Sequence, residues 1–313
     1  MAVGRESLLR GAMFAVVIVA WGFNYLFVRV GLGLSAPLWL AFLRAGLGAV
    51  GGAAIWAATG RPKLSRDEQA LAAGLGLLNT SLFFGLWFTA AGSIPPGEAS
   101  VVVYTFPLWV AILSIPLLAY RLRAVTWLAI VAGFVGIVLI SEPWGPGGGV
   151  LRPIPIAELL AGSLSWAVGT VLIQGRFRRE VIQAVNMFQL LGGAAGLLTV
   201  SVLLEPSRVP APSWELLGIV LWLGLVGTAL GYGLWFYLLA RIPAPSLSAN
   251  MFLVPVVALT ASSILLAERI DLVQAGGVVF VVAAIITVGR WAPLKRRPTV
   301  SLEGPGQDSR GSM

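Results

Sequence analysis

The sequence predicts an all-α integral membrane protein whose ten transmembrane helices form a five-plus-five inverted repeat. Three observations carry that prediction. The first is composition: 58% of the 313 residues are hydrophobic and 11% charged, with mean hydropathy +0.91, where a soluble domain has about 25% charged residues. The second is that the apolar runs divide into ten stretches of about 20 residues, the length at which a helix crosses the hydrocarbon layer. The third is a gapless repeat. Phe84–Ser141, moved forward by 148 positions, falls on Tyr232–Gly289 with 16 identities in 58 pairs. Gly85-Leu86-Trp87-Phe88 meets Gly233-Leu234-Trp235-Phe236, and Ile94-Pro95, Pro107, Ser114 and Arg121 also find identical partners. Apolar composition alone supplies roughly half that agreement.

The ten spans are expected at 8–31, 36–58, 68–92, 98–119, 124–141, 156–175, 182–203, 214–240, 245–266 and 271–289. All should be helices, because lipid cannot satisfy the open edge of a strand. The first follows Arg5 and Arg10 as a signal peptide would, but no small-residue cleavage site ends it and nine spans follow, so it reads as a retained helix. The units are then 1–141 as the first repeat, 142–155 as a Pro/Gly-rich outer linker, 156–290 as the second repeat and 291–313 as a disordered basic tail. An odd number of helices per unit makes the second enter the membrane the other way up, which is the sequence trace of a secondary transporter with its site between the halves.

Charge fixes the sidedness. Of 21 basic residues, only Arg29, Arg152, Arg208 and Arg269 fall on the far side, and Arg44 lies within a span. Both termini should therefore be cytoplasmic. The same rule accounts for the net charge of +8 without a nucleic-acid partner. The chain has no Cys and no His, which excludes disulfides, thiolate catalysis and the commonest metal ligand. No metal or cofactor is expected.

The polar residues of the spans are the candidates for chemistry. Arg44 is the one deep ionisable group, readable as an anion anchor or as a structural clamp on backbone carbonyls. Glu98, Glu158, Glu268 and Asp271 sit at span ends, and Glu98 and Glu158 read as helix caps. With no carboxylate mid-span, proton coupling has no evident carrier. Pro107 and Pro255 occupy matching mid-helix positions and are expected to kink their helices, as hinges or as static bends. Trp21, Asn24, Asn79, Tyr104, Trp166 and Tyr232 are the candidates for lining a central cavity, since such groups should face the bundle interior. A lining of that kind suits a neutral, zwitterionic or aromatic solute and not a sugar phosphate.

Trp21-Gly22-Phe23-Asn24, followed by Arg29, Gly31, Pro37 and Arg44, resembles the opening of the drug/metabolite transporter superfamily in its ten-helix EamA-type branch. Phe188-Gln189 is similar to the aromatic-Gln pair of that branch's seventh helix, and Leu266-Ala267-Glu268-Arg269 to the Gly-Glu-Arg ending of its ninth. Ala45 after Arg44, and Ala119-Tyr120-Arg121 where Glu commonly precedes Arg, depart from the pattern. The resemblance implies a five-plus-five inverted repeat. Within the branch the chain is most similar to the YddG-type exporters, which implies aromatic amino acids and related small solutes as substrates.

These readings converge on a bacterial inner-membrane exporter working by alternating access as a monomer, with a small-molecule substrate and the membrane lipids as its partners. The spans hold no Lys or His and no Asp except Asp271 at the very start of the last, which argues against an intramembrane enzyme. The alternatives are a non-transporting assembly or sensor protein and, among transporters, a multidrug or sugar-type carrier.

Overall fold

The computed structural model describes residues 2–93, 99, 102–141, 153–257, 260, 272–290 and 294–295. Ten helices carry the apolar spans. They are α1 (Ala2–Gly31), α2 (Pro37–Ala58), α3 (Arg66–Ala91), α4 (Phe106–Leu118), α5 (Ala124–Ser141), α6 (Pro153–Arg176), α7 (Ile182–Leu204), α8 (Trp214–Leu239), α9 (Ala244–Val257) and α10 (Leu272–Arg290). The result is an all-α integral membrane fold. Leu128, Leu203, Leu204 and Leu272 stand 70–91% exposed on its outside, a surface that needs lipid rather than water.

Among the described residues, six helices, α1, α2, α3, α6, α7 and α8, are long and apolar enough to cross a membrane. Of the ten expected spans, these six are described at full length. Within the described residues, the apolar parts of α4, α5, α9 and α10 run to 10–17 residues. Both α4 and α9 also adjoin or contain a local break. The chain turns at Tyr104–Thr105 before α4 and at Met251–Phe252 within α9. Hydrogen bonds tighten there to three-residue spacing: Leu108 N to Thr105 O at 2.9 Å, and Met251 N to Ser248 O and Val254 N to Met251 O at 3.0 Å.

Helix ends follow ordinary capping chemistry. Ser65 and Glu68 form a reciprocal capping box at the start of α3. Ser213 accepts from Leu216 N at the start of α8. Pro37 opens α2 without a side-chain cap of its own. The cap comes instead from Glu205, just past α7, whose Oε2 accepts from Leu38 N at 3.1 Å and Trp39 N at 3.2 Å. A carboxylate there also complements the helix dipole. At the opposite end of the bundle Gln174 of α6 holds the α8–α9 turn. Its Nε2 donates to Leu239 O and Ile242 O, and its Oε1 accepts from Ala244 N.

Helices α3 and α8 each contain a π-helical stretch, Leu77–Leu82 and Trp222–Leu230. Wider turns loosen carbonyls for outside donors. Trp21 Nε1 of α1 donates to Gly227 O at 3.0 Å, and Ser165 Oγ of α6 to Leu78 O at 2.9 Å. Two seams use the same chemistry around these stretches. In the α1/α2–α8 seam, Gly227 lies against Asn24, Gly48 against Thr228 and Gly51 against Ala229, so closely that an added methyl would collide. In the α6/α7–α3 seam, Gly169 lies against Asn79, Gly193 against Thr80 and Gly196 against Ser81. Close helix approach of this kind is what small residues permit in lipid.

Tyr120–Arg121 pairs antiparallel with Leu294–Lys295, so part of the expected tail is seated on the α4–α5 turn. Most of the expected linker, and Glu98, Glu268 and Asp271, lie outside the described residues.

Candidate functional site

A chamber sits where α1, α2, α3, α6, α8 and the turn before α4 converge. Trp21, Asn24 and Tyr25 face it from α1, at the three- and four-residue spacing that shares one helix face. Arg44 comes from α2, Phe83, Phe84 and Trp87 from α3, Trp166 from α6 and Tyr232 from α8. The turn before α4 adds Val103 and Tyr104, and α4 itself adds Phe106. The rings form a continuous lining. Trp21 and Trp166 meet edge-on with centroids 5.9 Å apart. Tyr232 stands 6.0 Å from Trp21 and 5.2 Å from Trp166. Phe83 stacks on Trp87 at 5.8 Å, and Tyr25 meets Trp87 at 5.3 Å. Offset and edge contacts of this sort are favourable aromatic geometries.

Space open to a water-sized guest is about 50 Å³, room for a few waters. In this state the rings are closed on one another, and a larger solute must part them.

Arg44 is only 2% exposed. Its Nε donates to Thr228 Oγ1 at 2.9 Å. Thr228 in turn donates to Leu223 O within the π-helical stretch. With the Asn24 amide oriented to satisfy its neighbours, its oxygen accepts from Arg44 Nη2 at 3.2 Å and its nitrogen donates to Ala20 O. The guanidinium lies over the Phe84 ring, 4.1 Å from its centroid, a cation–π contact. Nη1 has no partner among the described residues, and neither has the Tyr232 hydroxyl. No ion pair involves Arg44 among the described residues, where the two found are Arg10–Glu6 and Arg208–Glu205.

Of the residues singled out from sequence, Trp21, Asn24, Tyr104, Trp166, Tyr232 and Arg44 share this chamber. Asn79 is not among its lining residues. It is fully buried against Gly169, with both amide atoms unpartnered. Phe83 and Phe84 were not singled out, although their spacing from Trp87 places all three on adjoining faces of α3.

The prolines sit differently from expectation. Pro107 lies in the first turn of α4, where the missing N–H is one of the helix-start donors that has no partner anyway. The carbonyl four residues back, Val103 O, accepts instead from Ser163 Oγ at 3.2 Å, and Ser163 also bonds the Thr105 hydroxyl at 2.8 Å. Pro255 follows the Met251–Phe252 turn in the same way, with Met251 O taken by Val254 N. Neither proline kinks a continuous helix; each opens the segment after a break.

Comparison with known proteins agrees with this architecture. The model of the EamA-like transporter family matches twice, over residues 9–142 and 154–290. Protein PecM of Dickeya dadantii is 34% identical over 229 residues, covering 72% of this chain and 75% of its own. The uncharacterized transporter YoaV of Bacillus subtilis is 28% identical, over 82% of this chain and 88% of its own. A probable amino-acid metabolite efflux pump of Salmonella typhimurium is 29% identical, over 88% and 93%. A solved crystal structure superposes with a TM-score of 0.76 at 22% identity, covering 93% of this chain and 98% of that one, a likeness of fold. With both family matches together spanning most of its length, the chain belongs to the EamA-like transporter family and is a transporter, not an enzyme.

Proposed function

We propose that this protein exports small neutral or zwitterionic solutes, aromatic amino acids foremost, from the bacterial cytoplasm across the inner membrane. The observation that carries the reading is the chamber. It is buried between helices from both parts of the chain, walled by Trp, Tyr and Phe rings, and holds a single charge. Such a wall offers stacking and cation–π faces to an aromatic solute or an ammonium group. The names of the efflux pumps in Salmonella typhimurium and Escherichia coli support the amino-acid reading, as does the resemblance to YddG-type exporters. The name of YedA in Escherichia coli, an inner membrane transporter, supports the location.

The mechanism proposed is alternating access by a monomer of five plus five helices, with units at 1–141 and 156–290 inverted in the membrane, ten crossings and both termini cytoplasmic. Support comes from the double family match and from the two seams. Moving α1 and α2 forward by 145 positions, and α3 by 148, carries each contact of one seam onto a contact of the other. Asn24–Gly227 maps onto Gly169–Asn79, Gly48–Thr228 onto Gly193–Thr80, and Gly51–Ala229 onto Gly196–Ser81. The hinges proposed are the turns ahead of Pro107 and Pro255. Trp21, Asn24, Tyr104, Trp166 and Tyr232 would contact the solute, with Asn79 packing the second seam.

Purified protein in liposomes tests the function. It should move tryptophan and phenylalanine down their gradients, at an initial rate that a protonophore leaves nearly unchanged. Absence of flux for every amino acid offered would sink the reading, and a rate that collapses with the protonophore would sink its uncoupled mechanism.

A further inference from the structure

Arg44 is a fixed positive charge in a membrane-buried chamber, and burial of a charge without a counter-charge is costly. Thr228 and Asn24 engage two of its three nitrogens and are both neutral. The third, Nη1, is unpartnered, and so is the buried hydroxyl of Tyr232, which lines the same chamber. Two free donors, one of them charged, therefore converge on the lining of one chamber. The matching place in the other seam is held by Gln189, which accepts from Thr80 Oγ1 at 3.1 Å. Only one of the two related positions is charged, so the site neutralises one negative charge and not two. That fits a carboxylate and not a phosphate dianion.

We propose that the chamber seats its solute by a carboxylate held between Arg44 Nη1 and the Tyr232 hydroxyl, and refuses amines and amides that lack it. A carboxylate there completes the hydrogen bonding of both donors and cancels the buried charge. A bare amine would place a second cation beside Arg44, and an amide would leave the guanidinium uncompensated, so each is excluded by repulsion or by a missing counter-charge. An α-ammonium group is accommodated when the carboxylate comes with it, over the faces of Trp21 and Trp166. This assignment rests on the chamber being the transport site, and it adds the group by which the solute is recognised.

The test offers wild-type protein matched sets of acid, amine and amide on indole, phenyl and branched aliphatic skeletons. Two readouts are taken, thermal stabilisation in detergent and counterflow in liposomes. On at least one skeleton the acids should act, and the matching amine and amide should be weaker by about 100-fold or more. Tyr232→Phe, which keeps the ring, should weaken the acids by about tenfold, the loss of one hydrogen bond to a charged group. Arg44→Lys keeps the charge but loses the fork and should weaken them by a similar factor. An amine or amide that acts as strongly as its parent acid overturns the assignment. So does a full set in which no acid acts. If only aliphatic acids act, the aromatic preference of the proposed function fails while the carboxylate assignment stands. If acids stabilise the protein without counterflow, transport fails while the assignment again stands.

Discussion

Replacing Thr228 with Val separates the two seams energetically. The change keeps the γ-methyl that packs on Gly48 and replaces the hydroxyl with a methyl of similar size. Two hydrogen bonds go with the hydroxyl, one accepted from the Arg44 guanidinium at 2.9 Å and one donated to Leu223 O at 2.8 Å. A bond to a charged group contributes about 1.5–3 kcal/mol and a neutral one about 1 kcal/mol. Thr228→Val should therefore cost about 3 kcal/mol. Thr80→Val is its counterpart, with the methyl packed on Gly193 and a neutral bond to Gln189 Oε1. That change should cost about 1 kcal/mol. The two sites share no partner, so the double variant should cost about the sum of the two. Reversible denaturant titration in mixed micelles measures all three. A Thr80→Val cost equal to or above that of Thr228→Val would refute the reasoning, because the charge on Arg44 would then add nothing to its seam.

Three further outcomes follow from the same geometry. Glu205→Ala removes the side-chain cap that α2 receives and should lower stability by about 1–2 kcal/mol, while Arg208→Ala, which breaks a long 3.9 Å pair from an exposed guanidinium, should stay within about 0.5 kcal/mol; equal losses in the same titration would show that the cap contributes nothing. Ala119 ends α4 in the left-handed region at φ 53°, so Ala119→Gly should stabilise the protein by about 1 kcal/mol, and a lower unfolding midpoint would contradict that reading. If the turns ahead of Pro107 and Pro255 are hinges of inverted halves, Pro107→Ala and Pro255→Ala should shift the facing equilibrium in opposite directions and the double variant should recover part of the lost flux, whereas wild-type flux in both single variants would make the turns static.

Much of the fold is legible in the sequence because burial in lipid leaves few options: a run of twenty apolar residues must be helical. The breaks before Pro107 and Pro255 are harder to see, since hydropathy continues across Tyr104–Thr105 and Met251–Phe252 and the proline draws the eye to itself rather than to the turn ahead of it. The π-helical stretches are invisible to a 3.6-residue count. That explains why Asn79, expected to line the cavity, does not, while Trp87 does. The wider turns between them re-phase the faces of α3, so Asn79 points at Gly169 while Trp87 faces the chamber. The site residues that could be read were those whose chemistry is out of place in lipid, Arg44 and Asn24 above all. Phe83 and Phe84 gave no such signal, because a phenyl ring is equally at home against lipid or in a chamber. The second copy of α1 and α2 was also readable in principle, from Trp21 and Trp166, Gly48 and Gly193, and Gly51 and Gly196, but at an offset of 145 rather than the 148 that joins the later helices.

The central claim is that one buried chamber is reached from both faces of the membrane in turn. The chain contains no Cys, so Val103→Cys places a single thiol on the chamber wall at a position whose side chain contributes no polar group. A membrane-impermeant thiol reagent, applied to one side and then the other of oriented vesicles, reads its access. The account predicts labelling from both sides, slowed from both by tryptophan. Labelling from one side only, or labelling that tryptophan leaves untouched, would contradict it.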